Sequence, residues 1–340
     1  MSDTRQETGR RQGPRVVEVG EEAAGQRIDN FLNRELRDVP RSRLYRMIRK
    51  GEVRINGGRT KPTVKLKAGD RIRIPPVHIR PPTETAFIGS RQLDVLKAAI
   101  LHEDDRMLVL NKPAGFAVHG GSGVSFGVIE GLRRLRPRET LELVHRLDRE
   151  TSGCLLVAKR RSTLRTLHDQ IRKGTIRKHY RLIARGHWPD SLTEIDAPLH
   201  RFVTASGERR VRVSESGKPS RTTFEVDAHG TSASLVRAEL HTGRTHQIRV
   251  HCLHAGHGIL GDEKYATESE LEWDRRHGIE RLCLHAERIT LPEDAGSYQA
   301  PLPEDFQQIW QRLDGPASAD PGSEDREPRA VQHGAQGDEG

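Results

Sequence analysis

Residues 141–158 constrain the fold more than any other stretch of this chain. Leu141-Glu142-Leu143-Val144 alternates apolar and polar side chains, and Cys154-Leu155-Leu156-Val157-Ala158 is an unbroken apolar run, so both predict strands. Between them, His145-Arg146-Leu147-Asp148-Arg149-Glu150-Thr151-Ser152-Gly153 forms a short polar turn with one carboxylate between two guanidinium groups. Asp148 is therefore expected at a strand end, held by a sheet. Neighbouring cations favour the ionised carboxylate, which suits nucleophilic or charge-stabilising work and disfavours donating a proton. An Asp in a Thr-Ser-Gly turn also caps backbone N–H groups, and Arg neighbours also form plain surface ion pairs. These nine residues alone leave both roles open.

At 340 residues the chain predicts two domains plus tails, and its 34% hydrophobic and 31% charged content predicts that part of it is disordered. No apolar run approaches the roughly 20 residues that span a bilayer, and the first fifteen residues are polar, so a cytoplasmic protein with no membrane partner is expected. Cys154, Cys252 and Cys283 form no C-x-x-C pair and read as buried small apolar residues. The net charge of +9 is uneven: residues 27–73 hold fifteen Lys or Arg against five Asp or Glu, whereas residues 315–340 hold six acidic and two basic residues. A concentrated positive field on one module is the footprint of a polyanion, most naturally nucleic acid.

Residues 1–14 read as a loose arm. From there to residue 75 a small module is expected. Ile28, Phe31, Leu32 and Leu36 recur at helical spacing, and a second helix is predicted over 42–50, with Leu44, Met47 and Ile48 inward and Gly51 as its stop. Val53-Arg54-Ile55 runs into the turn Asn56-Gly57-Gly58, and Arg71-Ile72-Arg73-Ile74 follows Ala68-Gly69-Asp70, predicting two short strands. Arg43, Arg46, Arg49 and Lys50 share the outer side of the second helix, near Arg54 and Lys61. Acidic partners at i,i+4 are nearly absent, so their repulsion is unrelieved without a ligand. This helix-helix-hairpin resembles the S4 RNA-binding domain, which implies RNA binding but no reaction.

Residues 76–95, with Pro75, Pro76, Pro81 and Pro82 nearby, read as a semi-rigid linker. A second domain over 96–314 shows short strands and few helices, notably 162–173, 245–255 and 305–313, which predicts an α+β fold with a mixed, largely antiparallel sheet. Residues 315–340 read as a disordered acidic tail. Within the second domain, Met107-Leu108-Val109-Leu110 is a strand, from which Lys112 could reach a phosphate or an acid. The loop His119-Gly120-Gly121-Ser122-Gly123 lacks the spacing of a nucleotide-binding loop and reads as mobile. Residues 177–184 alternate as a strand that sets Tyr180 opposite Arg181. A Tyr among cations is a candidate base-stacking platform, and a core tyrosine fits the segment equally well. Residues 241–251 enter a helix through a Thr cap and leave it at Gly256, placing Arg249 where its fork could hold a carboxylate bidentately. His246, His251, His254 and His257 complete no tetrahedral set with an acidic partner, so no metal is expected.

Six ordered motifs together resemble the RluA-type pseudouridine synthases: Leu108 to Gly115, His145 to Gly153, Lys178-His179-Tyr180, His241 to His251, Gly261-Asp262 with Tyr265, and Leu284-His285-Ala286. With the S4-like module, the whole resembles in particular their large-subunit ribosomal RNA pseudouridine synthase C group. The resemblance implies Asp148 as catalytic carboxylate, Arg249 as its ion-pair partner and Tyr180 stacked on the target uracil. It also implies that Arg146 fills the gap left in the RNA, with Arg244 and Lys112 among the further RNA contacts. No cofactor is implied; the partner is large-subunit ribosomal RNA or a pre-ribosomal particle, and the enzyme is expected as a monomer. Whether Asp148 attacks C1′ or helps remove a ribose proton stays open. The alternatives are a non-catalytic RNA-binding ribosome-assembly factor and a glycosidic hydrolase. The hydrolase would need a second carboxylate, for which Glu150 is the only nearby candidate.

Overall fold

The computed structural model describes residues 11–36, 39, 41–78, 89–120, 126–293 and 295–314. The chain divides into two compact units, Met1–Ile176 with Leu291–Tyr298, and Arg177–Thr290 with Gln299–Gly340.

The first unit begins with a basic module. Its strands are β1 (Arg11–Gln12), β2 (Arg15–Glu18), β3 (Arg54–Ile55), β4 (Gly58–Arg59), β5 (Arg71–Ile74) and β6 (Val77–His78), and its helices are α1 (Ile28–Glu35) and α2 (Arg41–Lys50). Ile28, Phe31, Leu32, Leu44, Met47 and Ile48 are buried, as their spacing predicts, and pack with Val53, Leu66, Ile72 and Ile74 into one core. Asn56 and Gly57 both have positive φ, at 50° and 82°, the geometry of a two-residue hairpin turn, and they join β3 to β4. The two predicted strands belong to a larger antiparallel sheet in the order β2-β5-β3-β4. Periodicity does not mark β2, whose Arg-Val-Val-Glu does not alternate as the equally long β5 does, or β4, which has only two residues. β1, which pairs with β6, falls within the stretch read as a loose arm.

The rest of the unit contains α3 (Ser90–Ala98), β7 (Ile100–Glu103), β8 (Met107–Lys112), α4 (Val128–Leu135), β9 (Glu142–Leu143), β10 (Ser152–Ala158) and α5 (Arg161–Lys173). α3 starts inside the stretch read as linker, of which residues 79–88 lie outside the described residues. β10 is buried along its whole length and pairs antiparallel with β8 and β9. The two strands predicted around the polar turn are thus neighbours in a sheet, and the turn closes them.

The second unit holds β11 (Arg177–Arg185), β12 (Glu194–Asp196), β13 (Leu199–Val203), β14 (Arg209–Val213), β15 (Arg221–His229), β16 (Ala233–Leu240), α6 (Gln247–His254), α7 (Glu268–Arg276), β17 (Leu284–Thr290) and α8 (Glu304–Asp314). Its sheet runs β12-β15-β16-β11-β17 with antiparallel pairing, and β13 and β14 form a separate hairpin. The α+β class read from the sequence is the one observed. α5, α6 and α8 fall on the three predicted helices, whereas α3, α4 and α7 were not predicted: α3 and α4 are capped by Gly89 and Gly127, which signal a helix start only weakly, and the capping-box pair Thr267 and Glu270 of α7 opens a polar stretch with little apolar periodicity.

Among the described residues no helix is long and apolar enough to cross a membrane. Cys154, Cys252 and Cys283 are buried, as expected of small core residues.

Candidate active site and RNA-binding surface

The turn that carries Asp148 is tied down at alternate positions. His145 Nε2 accepts a hydrogen bond from the Leu156 N–H at 3.1 Å, Leu147 is buried, and Arg149 Nε donates to the Gly115 carbonyl at 3.0 Å. Arg146, Asp148 and Glu150 alternate with these anchors. Arg146 and Glu150 are exposed and Asp148 is half-buried. Arg149 also pairs with Glu150 at 3.3 Å.

Lys112 corrects the sequence reading. Expected to reach RNA, it is wholly buried, and its ammonium donates to the carbonyls of Pro113, Phe116 and Arg149 at 2.8, 2.8 and 2.9 Å. Opposite Gly153 in the β8-β10 register, it staples the Asn111–Gly115 turn to the Asp148 turn. A buried ammonium is costly unless its donors are satisfied, and three carbonyls supply that satisfaction here. Its role is to hold the scaffold. Of the glycine-rich loop at 119–123, residues 121–123 lie outside the described residues, as do 124 and 125. The loop's flanks meet at Glu130, whose Oε2 accepts from the N–H groups of Gly120 and Gly127.

In the second unit Tyr180 lies on β11, 6% exposed, paired in register with Ala238 of β16. The alternation read from the sequence holds. Arg181, on the other face, joins Asp227, Glu287 and Arg237 in a charged network.

Arg249 is buried on α6, and its Nε and Nη2 donate to the two oxygens of Asp262 at 2.8 and 2.6 Å. The bidentate grip anticipated for this fork is thus present with Asp262, itself 3% exposed. A guanidinium has five donors, so this pair is compatible with a further carboxylate. Asp262 also accepts from the N–H groups of Lys264 and Tyr265 through Oδ1. The Tyr265 ring lies 5.2 Å from the Arg249 guanidinium carbon, and its hydroxyl bonds His246 Nδ1 at 2.7 Å and accepts from Val211 N–H at 3.1 Å. Val250, next in the helix, packs against Leu199 and Val211 of the β13-β14 hairpin, which seats α6. Sequence reasoning quoted Asp262 and Tyr265 within a motif but gave them no role. The signal was a carboxylate directly after the apolar run Ile259-Leu260-Gly261.

The entry to α6 differs from expectation. Thr245 does not cap it. The helix starts at Gln247 after His246, which adopts a left-handed φ of 53°. Gln247 does the stapling: its side chain accepts from Thr242 Oγ1 and Arg244 N–H and donates to the Arg221 carbonyl and Thr222 Oγ1. Arg244, on this loop, is exposed and donates to the Pro219 carbonyl. His251 is buried, with its ring nitrogens on Thr222 Oγ1 and the Ala197 carbonyl, and burial lowers its pKa. His257 Nδ1 meets the Arg185 carbonyl. Burial also pushes His285 down to about 4, so it remains neutral in the core. Among the described residues no group of three His, Cys, Asp or Glu could hold a metal ion.

On the basic module, Arg46, Arg49 and Lys50 are exposed and Arg43 is half-buried on one side of α2. Among the described residues no acidic group pairs with any of them. The α1-α2 pair is fixed instead by Asp29, 7% exposed, which takes both arms of Arg27 and the Tyr45 hydroxyl. Burial opposes its charge, but the bonds from Arg27 and Tyr45 outweigh that and hold its carboxyl below the usual range.

Residues 106–254 match the family of RNA pseudouridylate synthases, and residues 26–72 match the S4 domain. By these matches and the similarities that follow, the chain belongs to the RNA pseudouridylate synthase family, with an S4 domain ahead of its synthase domain. It is 55% identical over 253 residues to the Ribosomal large subunit pseudouridine synthase C of Escherichia coli strain K12 and of Salmonella typhimurium, covering 74% of this chain and 79% of each relative. The protein of that name from Pasteurella multocida is 52% identical over 268 residues, covering 78% of this chain and 82% of its own. Among solved structures, Human RNA Pseudouridylate Synthase Domain Containing 4 superposes with a TM-score of 0.56 at 28% identity, over 67% of this chain and 97% of that one.

Proposed function

We propose that this chain isomerises specific uridines to pseudouridine in large-subunit ribosomal RNA, with Asp148 as the catalytic carboxylate. The observation that carries the proposal is the anchored turn of residues 145–153, which fixes its backbone at His145, Leu147 and Arg149 and presents the intervening side chains. A family that rearranges a glycosidic bond without a cofactor needs such a carboxylate held rigidly. The relatives' names add the substrate class.

The C1′–N1 bond of uridine breaks, the retained uracil turns, C5 joins C1′, C5 loses its proton and N1 gains one. A base inside a helix cannot undergo this, so the uridine is flipped out, at a cost of a few kcal/mol offset by stacking and phosphate contacts. Tyr180 stacks on the extruded uracil and Arg146 fills the space it leaves. Arg249, its fork oriented by Asp262, keeps Asp148 ionised and placed. Arg43, Arg46, Arg49 and Lys50 engage phosphates, and Arg244 adds a contact beside α6. The partner is ribosomal RNA, free or in an assembling particle, met by a cytoplasmic monomer. The domain limits proposed are 15–75 for the S4 domain and 96–314 for the synthase domain.

The test is a pseudouridine map of large-subunit ribosomal RNA from cells with the gene, without it, and with Asp148→Ala. Sites lost on deletion and restored by the parent gene but not by Asp148→Ala support the proposal. An unchanged map on deletion refutes it. Restoration by Asp148→Ala would remove the carboxylate's assigned role.

A further inference from the structure

Asp274 lies in α7, in the polar stretch 266–278 to which no role has been given, yet it is only 2% exposed. Its Oδ2 accepts from the Gly261 N–H at 3.0 Å and from Arg185 Nη2 at 2.5 Å. Gly261 immediately precedes the aspartate that grips Arg249. It has φ of +72°, and a Cβ there would lie 1.8 Å from the Arg281 carbonyl oxygen, so only glycine fits and the backbone has one way through. Arg185 ends β11, the strand that carries Tyr180, and also approaches Glu270 at 3.5 Å and the Trp273 ring at 5.8 Å. α7 starts with a capping box in which Thr267 and Glu270 bond reciprocally, so the helix that delivers Asp274 is fixed at its N-terminus.

We infer that Asp274 is a positioning residue for Arg249: it fixes Gly261, and hence Asp262, and through Arg185 ties them to the strand bearing Tyr180. The inference rests on the role proposed above for Arg249. It assigns the 266–278 stretch to support of the site. A displacement of about 1 Å at a catalytic group can cost on the order of a hundredfold in rate.

The test compares Asp274→Ala, Asp274→Ser and Asp274→Asn in the full-length protein, with a ribosomal RNA fragment as substrate and folding checked by circular dichroism. Asp274→Ala is expected to lower kcat at least tenfold while KM and RNA affinity stay within threefold. Asp274→Ser, too short to reach Gly261, serves in its place should the alanine variant not fold. Asp274→Asn, which keeps an acceptor for the Gly261 N–H, is expected to recover most of the rate. In an Asp262→Asn background the alanine or serine change should slow the enzyme no further. Full kcat in a folded alanine or serine variant, a loss confined to KM, or a loss that multiplies with that of Asp262→Asn overturns the inference. Arg249→Ala is assayed in parallel. If it is inactive while the Asp274 variants are not, only this inference fails; if it is active, the role of Arg249 itself falls.

Discussion

At the scale of single residues, the two lysine and aspartate positions that drew notice in the sequence have opposite fates. Asp148 is half-buried on an anchored turn, while Lys112 is fully buried beneath it with its charge spent on three carbonyls. Lys112→Met keeps the volume but withdraws the donors. It should destabilise the protein by about 3 kcal/mol, read by urea denaturation, and slow isomerisation through the freed Arg149 carbonyl. A loss below about 0.5 kcal/mol would mean that the staple contributes little. Glu103 offers a test of charge. Bonds from Arg136, opposed by burial and aided by Lys159, bring its pKa from 4.5 to about 2. The folded value lies below the unfolded one, so the stabilisation is complete above pH 4.5 and is lost as pH falls toward 2. Glu103→Gln should therefore melt below the parent at pH 7, and the gap should close between pH 4.5 and 2. A gap that persists unchanged at pH 2 would exclude the linkage.

At the scale of elements, α2 presents four cations to solvent without acidic partners among the described residues, and α1 needs the Asp29 pair to seat against it. Each cation that meets a phosphate adds close to one to the slope of log affinity against log salt. Arg46→Gln and Arg49→Gln should each flatten that slope by about one or less and weaken target and non-target RNA alike, with kcat unchanged. Slopes equal to the parent's would mean that this face does not meet RNA in the complex. α6 shows how an element can be read correctly while its start is misread. Its C-terminal stop at Gly256 was visible, because glycine there adopts a φ of 83°. Its start was not, since the helix is entered through a left-handed His246 and held by Gln247, whose four bonds reach residues 221, 222, 242 and 244. Gln247→Ala should leave several of those groups unsatisfied and cost about 1–3 kcal/mol, measured by thermal melting.

At the scale of the whole molecule, the proposed catalytic pair, Asp148 and Arg249, is separated by 101 residues of sequence. Groups that act as one device are not additive. The Asp148→Asn, Arg249→Ala double variant should thus be no slower than the slower single variant in single-turnover assays, and multiplied losses would show that the two act independently. The sequence by itself determined the S4-like helix pair, the strands flanking the Asp148 turn, the α+β class and the face assignment of Tyr180. Those features are written in local periodicity and turn chemistry, which neighbouring residues report to one another. Only the tertiary structure decided that Lys112 is buried, that Asp262 grips Arg249 and that Asp274 holds Gly261. These are pairings across thirty-seven, thirteen and thirteen residues, set by which elements pack together, and no local pattern encodes which buried charge finds which partner.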